Sequence, residues 1–264
     1  MHGAVELSWY FLAAGALAGG ALIGFTGGML GIGGGLLAIP LLGLILGMDQ
    51  QMAQGTSLIM VLPAVLLTLR KYNQHSRIDF RAAAAGACSA IFFTWVGARL
   101  ALGIDSRLLR MIYAIFVLFV ALFYFYQAYR GAGRSHSLPA RRQPGDYHRG
   151  WFALLGVMAG LAGGVFGVGG SVLAVPVLTT VFRLSQVGAQ AIALSMIVPG
   201  TFVALITYTA HGQTDWVAGV PLALGSIMFV PYGVRMAYAL PEARLKLMFA
   251  CMLLVIMVLL LLKV

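Results

Sequence analysis

Charge is what this chain has least of. Its 264 residues include 17 Lys or Arg and 7 Asp or Glu, so charged residues make up only 9%, against about 25% in soluble proteins. A chain so poor in charge, and 61% hydrophobic, leaves no room for a soluble domain. Cysteine is equally sparse. Cys88 and Cys251 both fall inside apolar tracts, which points to two unpaired thiols facing core or lipid. No HExxH motif, intramembrane acid pair or Ser/His constellation is found, so catalysis has nothing to run on, and neither a cofactor nor a metal is expected. The stretch from Met1 to Glu6 has no basic region ahead of its first apolar tract, so no cleaved signal peptide is expected.

What charge there is sits in islands. Residues 70–81, 99–110, 130–149 and 235–246 hold nearly all of it, and only Glu6, Asp49, Arg183, Asp215 and Lys263 lie elsewhere. Between the islands run uncharged tracts at 7–48, 50–69, 82–98, 111–129, 150–182, 184–214, 216–234 and 247–262. A spanning helix takes about 20 mostly apolar residues. Some tracts fit one span, and the long ones fit two or a span with a re-entrant piece. Strict alternation is missing, which rules out a membrane barrel. The expected fold is an all-α polytopic membrane protein, with the lipid bilayer as a partner. The net charge of +10 then speaks of loops and not of nucleic acid, because the cations lie between apolar tracts as cytoplasmic loops require.

Two stretches repeat. Residues 27–42 read GGMLGIGGGLLAIPLL and residues 163–178 read GGVFGVGGSVLAVPVL, nine of sixteen positions being identical at an offset of 136. The same ungapped offset pairs Gln50 with Gln186, Gln54 with Gln190, Pro63 with Pro199, Tyr72 with Tyr208, His75 with His211, Asp79 with Asp215 and Arg99 with Arg235. The chain therefore divides into a first transmembrane repeat at 1–130, a basic cytoplasmic linker at 131–149 and a second transmembrane repeat at 150–264.

Loop charge predicts how the repeats are oriented. Loop 70–81 carries four Lys or Arg, and its counterpart 206–217 carries none. Lys and Arg in short loops mark the cytoplasmic side. Equivalent loops thus lie on opposite sides, and the topology is inverted, with the N-terminus outside and the linker inside. Loop 99–110, with Arg99, Arg107 and Arg110, runs against this, since inversion puts it outside. Each half parses into five segments, in the first half 8–30, 35–48, 51–70, 81–102 and 107–129. The second covers about 21 Å at 1.5 Å per residue, short of the ~30 Å hydrocarbon core. Segments one and two are therefore expected to form a hairpin or a broken, re-entrant pair around the glycines. Trp9, Trp151 and Trp216 fall at segment edges, as interfacial anchors do.

The glycines carry the most information. Gly27, Gly28, Gly31, Gly33, Gly34 and Gly35 precede Pro40; Gly163, Gly164, Gly167, Gly169 and Gly170 precede Pro176, with Ser171 in place of the last glycine. Such backbone can unwind and approach a ligand closely, which at membrane depth is tolerated only where it is buried in protein or lines a cavity. Free N–H groups and a following helix N-terminus then suit an anion. Broken helices at matching positions in two halves point to a transporter's binding site. Glycines spaced by four, such as Gly15 with Gly19 or Gly160 with Gly164, point instead to helix packing. A dinucleotide loop is excluded, since no strand precedes Gly31 and no acid follows before Asp49.

The polar residues nearby admit two roles. Gln50 and Gln54 share one helix face, as do Gln186 and Gln190; neutral amides can bond an oxyanion, or cap and glue helices. Thr56 and Ser57 give way to Ile192 and Ala193 in the second half, so any site they form is asymmetric. Pro40, Pro63, Pro176 and Pro199 are expected to kink their helices. His75 with Asp79, and His211 with Asp215, recur at one spacing and suggest coupling. Both aspartates, however, directly precede an apolar segment, where Asp is a favoured N-cap. Asp49 is the one acid close to the hairpin and so the fair candidate for proton coupling. Arg99 and Arg235 sit at helix ends, where snorkelling or headgroup pairing suits them better than steering a substrate.

The pattern GxxGxGGGxxxxP ending at Pro40, with Gly55-Thr56-Ser57-Leu58 downstream, resembles the TauE/SafE family of membrane transporters over nearly the whole chain. The resemblance implies a bacterial or archaeal inner-membrane permease for anions, often sulfur-containing ones such as sulfite or sulfonates. Ser171, Ile192 and Ala193 depart from the family pattern, so two equivalent sites are not implied. The expected function is secondary-active export or exchange of a small anion by alternating access. Its contacts would be the backbone of 31–35 and 167–171, that is Gly31, Gly33, Gly34, Gly35, Gly167, Gly169, Gly170 and Ser171, helped by Gln54, Thr56, Ser57, Gln190 and Ser195. An anion channel and a non-transporting membrane subunit are the alternatives, with a membrane-embedded enzyme the remotest. A homodimer is compatible with the sequence.

Overall fold

A computed structural model describes residues 2–75, 80–132 and 149–261. The described residues form ten helices and no strands: α1 (His2–Leu30), α2 (Gly35–Ile45), α3 (Gln50–His75), α4 (Phe80–Leu102), α5 (Ser106–Ala132), α6 (Arg149–Phe166), α7 (Ser171–Thr180), α8 (Gln186–Ala210), α9 (Trp216–Ala239) and α10 (Glu242–Leu261). The starts of α2, α3, α4 and α5 recur 136 residues on, as the starts of α7, α8, α9 and α10. Side chains set several of these starts. Ser185 accepts from Gly188 N, Asp105 Oδ2 from Arg107 N and Leu108 N, and Asp215 Oδ1 from Val217 N and Ala218 N, each satisfying donors that a helix leaves open at its first turn. The N-cap role expected of Asp215 is therefore realised, while Asp79 lies outside the described residues.

Among the described residues five helices are long and apolar enough to cross a bilayer, namely α3, α4, α5, α8 and α9. Their outward faces carry Phe92, Ile115, Phe119, Phe125, Met228 and other large apolar side chains in the open, which water would punish and lipid accepts. Trp151 and Trp216 are exposed close to the starts of α6 and α9. Cys88 and Cys251 are free and exposed. The middle belongs to α3 and α8, whose apolar windows are 67% buried against 33% for α4 and α5. Pro40, Pro63, Pro176 and Pro199 all lie inside continuous helices, as do Pro221 and Pro231 of α9.

Two further helices, α1 and α6, pack across the halves on α9 and α4 through glycine stripes. A Cβ on Gly20, Gly24 or Gly28 of α1 would strike the α9 backbone at Leu222, Ser226 and Val230. Gly156, Gly160 and Gly164 of α6 meet the α4 backbone at Gly86, Ala90 and Thr94 in the same way. Such stripes let backbones approach where no hydrophobic effect drives helices together. Gly160 and Gly164 pack as their spacing predicts, but the α1 stripe is not the one that includes Gly15, which meets nothing within 4 Å. Gly15 and Gly19 instead line an apolar cleft of about 350 Å³ between α1 and α2. Its lining comes from residues 15–23 of α1, residues 38–46 at and after α2, and Leu222 of α9. At 11 residues, α2 reaches about 16 Å.

Candidate functional site

Both short helices begin on a glycine turn. Before α2, Gly31, Gly33 and Gly34 have φ of 68°, 70° and 82°; before α7, Gly167, Gly169 and Gly170 have φ of 67°, 75° and 75°. Left-handed backbone costs any residue with a Cβ about 1–2 kcal/mol, so three such positions per turn explain why both turns are glycine. Neither Gly34 nor Gly170 caps its helix with a side chain, and the first N–H groups of α2 and α7 have no intrahelical acceptor. Both turns are buried throughout.

The turns of the two halves meet at the centre. A Cβ on Gly35 would lie 3.3 Å from Gly167 O and 2.9 Å from Val61 of α3. Each turn also packs against a glutamine of the opposite half. A Cβ on Gly31 would come within 2.6 Å of Gln190 Cγ, and one on Gly167 within 2.9 Å of Gln54 Cβ. Buried tyrosines lock these glutamines. The Tyr72 hydroxyl is shared between Gly28 O at 3.1 Å and Gln190 Oε1 at 2.9 Å; the Tyr208 hydroxyl is shared between Gly164 O at 3.1 Å and Gln54 Oε1 at 2.8 Å. The start of α3 thus lies beside the end of α8, and the end of α3 beside the start of α8. The two helices run antiparallel.

The match stops at the amide nitrogens. Gln190 Nε2 donates to Leu30 O at 2.7 Å, whereas Gln54 Nε2 is buried with no partner, as is Ser171 Oγ at the first residue of α7. Gln50 Nε2 and Gln186 Oε1 are also buried and unpartnered.

Other residues singled out in the sequence lie around this centre or away from it. Thr56 Oγ1 accepts from Asp215 N at 2.9 Å, tying α3 to the α8–α9 junction, and Ser57 Oγ donates to Gln54 O at 2.7 Å. Ser195 Oγ donates to Ala191 O at 2.8 Å within α8. His211 is exposed, with Nδ1 2.7 Å from Thr207 O. It shares a surface cleft with Arg99, whose guanidinium lies 5.6 Å from the centre of the Trp95 ring. The His75 side chain lies outside the described residues. Asp49 is exposed in a polar cleft of about 440 Å³ with Asp105, Ser106, Arg107 and Arg110. Beneath that cleft Gln50 N donates to Ser106 Oγ at 2.9 Å, and Gln51 Nε2 to Ile104 O at 2.7 Å. The ends of α4 and α8 therefore both meet the start of α3.

Sequence reasoning did not assign roles to Tyr72, Tyr208 and Gln51. For the tyrosines a signal existed, since both recur at the 136-residue offset; Gln51, whose counterpart is Val187, had none.

Lipid-facing helices around two buried turns that each break into a short helix are the architecture of a polytopic membrane transporter. The chain belongs to the family described as Sulfite exporter TauE/SafE, which matches residues 16–260. It is 28% identical over 213 residues to a "Probable membrane transporter protein" of Xylella fastidiosa strain 9a5c, covering 79% of this chain and 78% of that one. A protein of the same description from Methanocaldococcus jannaschii is 25% identical over 250 residues, 89% of this chain and 90% of the relative. YunE of Bacillus subtilis, also so described, is 24% identical over 229 residues, 78% and 82% of the two chains. No solved structure matches.

Proposed function

We propose that the protein is a secondary-active transporter that exports or exchanges a small anion, a sulfur oxyanion such as sulfite or an organosulfonate, across a bacterial or archaeal cytoplasmic membrane. The observation that carries this is the pair of buried left-handed glycine turns, each opening onto the N-terminus of a short helix. Amides at such ends favour negative charge. The side chains packed on the turns are Gln54 and Gln190, neutral amides that put no buried cation beside the anion to fix it there. Transport needs binding strong enough to enter and weak enough to leave.

The halves 1–130 and 150–264 act as inverted repeats in this reading, with α1–α2 and α6–α7 as re-entrant pairs and access alternating as one set of helices rocks against the other. The antiparallel run of α3 and α8, equivalent by the 136-residue offset, supports it. So does the meeting of the ends of α4 and α8 at the start of α3. The Arg-bearing loop 99–110 and loop 206–217, which has no Lys or Arg, then share the outer side, with the N-terminus, and loop 70–81 and the linker 131–149 lie in the cytoplasm. An enzymatic role forms no part of this reading.

Reconstitution in proteoliposomes tests it. Labelled sulfite should move saturably, and excess unlabelled sulfite, thiosulfate or sulfoacetate should compete. Unitary currents under voltage clamp would replace the carrier by a channel. Absence of flux for sulfite, thiosulfate, sulfoacetate, taurine and simple carboxylates alike would end the proposal.

A further inference from the structure

The two glycine turns are built alike but are not equally occupied by the protein itself. At the first turn the side-chain atoms of the glutamine packed on it both have partners. Gln190 Nε2 donates to Leu30 O, Gln190 Oε1 accepts from Tyr72, and the position equivalent to Ser171 is Gly35, which has no side chain. At the second turn two polar atoms are left over. Gln54 and Ser171 are both 0% exposed, and neither Gln54 Nε2 nor Ser171 Oγ has a hydrogen-bond partner. One belongs to the glutamine packed on Gly167 and the other to the first residue of α7. A buried donor without a partner costs about 1–3 kcal/mol, so proteins seldom keep one, and two on the same glycine turn and the helix it opens call for a reason.

We infer that the transporter has one anion-binding site and not two, located at the second glycine turn, where Gln54 Nε2, Ser171 Oγ and the first N–H groups of α7 hold a single sulfur oxyanion. The first turn is a structural counterpart whose donors hold the protein together. This rests on the reading that an anion meets the glycine turns, and it narrows that reading to one half. The chemistry fits a pyramidal or tetrahedral oxyanion: three acceptor oxygens meet an amide, a hydroxyl and backbone N–H groups, all neutral. The asymmetry suits a carrier, because one site seen alternately from each side needs no second copy.

Ligand-induced thermal stabilisation of the detergent-solubilised protein, with sulfite, thiosulfate and sulfoacetate as probes, tests the assignment together with flux in proteoliposomes. Ser171→Ala deletes only the unpartnered hydroxyl. Gln54→Glu keeps an acceptor for Tyr208 and turns the unpartnered donor into a repelling oxygen. Each should leave the anion-free protein folded, weaken the anion-induced shift and raise KM for flux about tenfold or more, the range for hydrogen bonds to a charged group. Gln190→Leu should lower the stability of the anion-free protein while the anion-induced shift persists. If the shift survives both Ser171→Ala and Gln54→Glu undiminished, the single-site inference falls although the anion reading stands. If no probe stabilises or moves through the unmodified protein, both fall together.

Discussion

Replacing Tyr72 by phenylalanine removes one oxygen from a fully buried contact between the halves. Tyr72, Gln190 and the Gly28 carbonyl are all buried, and the hydroxyl is 2.9 Å from Gln190 Oε1 and 3.1 Å from Gly28 O. Leaving a buried acceptor unpaired costs about 1–3 kcal/mol in water-soluble proteins. In membrane bundles the measured worth of such a bond averages about 0.6 and reaches about 1.7 kcal/mol, because the unfolded state in the bilayer finds partners too. One proton serves two acceptors here, so a single bond is lost and the second figure governs. Tyr72→Phe should therefore cost about 1 kcal/mol. Tyr208→Phe should cost about the same, but with a second effect. Gln190 keeps its bond to Leu30 O, whereas the Gln54 amide has only Tyr208 to orient it. Loss of Tyr208 should thus raise KM for anion flux, and loss of Tyr72 should not. Unfolding by SDS in bicelles measures the stability, and a double-mutant cycle of Tyr72→Phe with Gln190→Leu isolates the pair. A coupling energy of zero, or a Tyr72→Phe variant as stable as the parent, would refute the contact as a stabilising link between the halves.

Other outcomes follow from separate parts of the fold. Gly24→Ala and Gly160→Ala each put a methyl into a facing helix backbone and should destabilise by about 1–3 kcal/mol, while Gly15→Ala, with nothing within 4 Å, should stay within about 0.5 kcal/mol; thermal melts in one detergent compare the three. Asp215→Ala removes the acceptor for Val217 N and Ala218 N and should cost about 1 kcal/mol, read as a lowered unfolding midpoint. Arg107 and Arg110 line the polar cleft above the start of α3. If that cleft gathers anions, replacing both with Gln should raise KM several-fold in dilute buffer and far less in high salt, where exposed charges are screened; equal effects at both ionic strengths would remove the cleft from the anion's path.

Helix placement was legible in this sequence because the breaks are chemical. Segments expected at 35–48, 81–102 and 107–129 begin within one residue of α2, α4 and α5, since glycine turns and N-caps such as Asp105 leave written marks. The end of α3 was not legible. Apolar residues stop at Leu69, yet the helix continues through Arg70 and Lys71 to His75, because hydropathy reports where lipid ends and not where backbone hydrogen bonds do. The α1 glycines show a second limit. Gly15 and Gly19 form one stripe spaced by four, and Gly20, Gly24 and Gly28 form another. Only a partner can choose between them, and α9 chooses the second. The repeat offset brought Tyr72, Tyr208, Gln54 and Gln190 into view as pairs within one pattern. Nothing local could say that each tyrosine reaches the glutamine of the other half, since that contact exists only once α3 and α8 pack antiparallel. Nor could a repeat, which speaks of sameness, disclose that Gln190 is tied to Leu30 while Gln54 is not. A written trace of that difference at the turn itself is Ser171 standing where Gly35 stands in the first half, a single hydroxyl that burial turns from a trivial substitution into a distinguishing atom of the second turn.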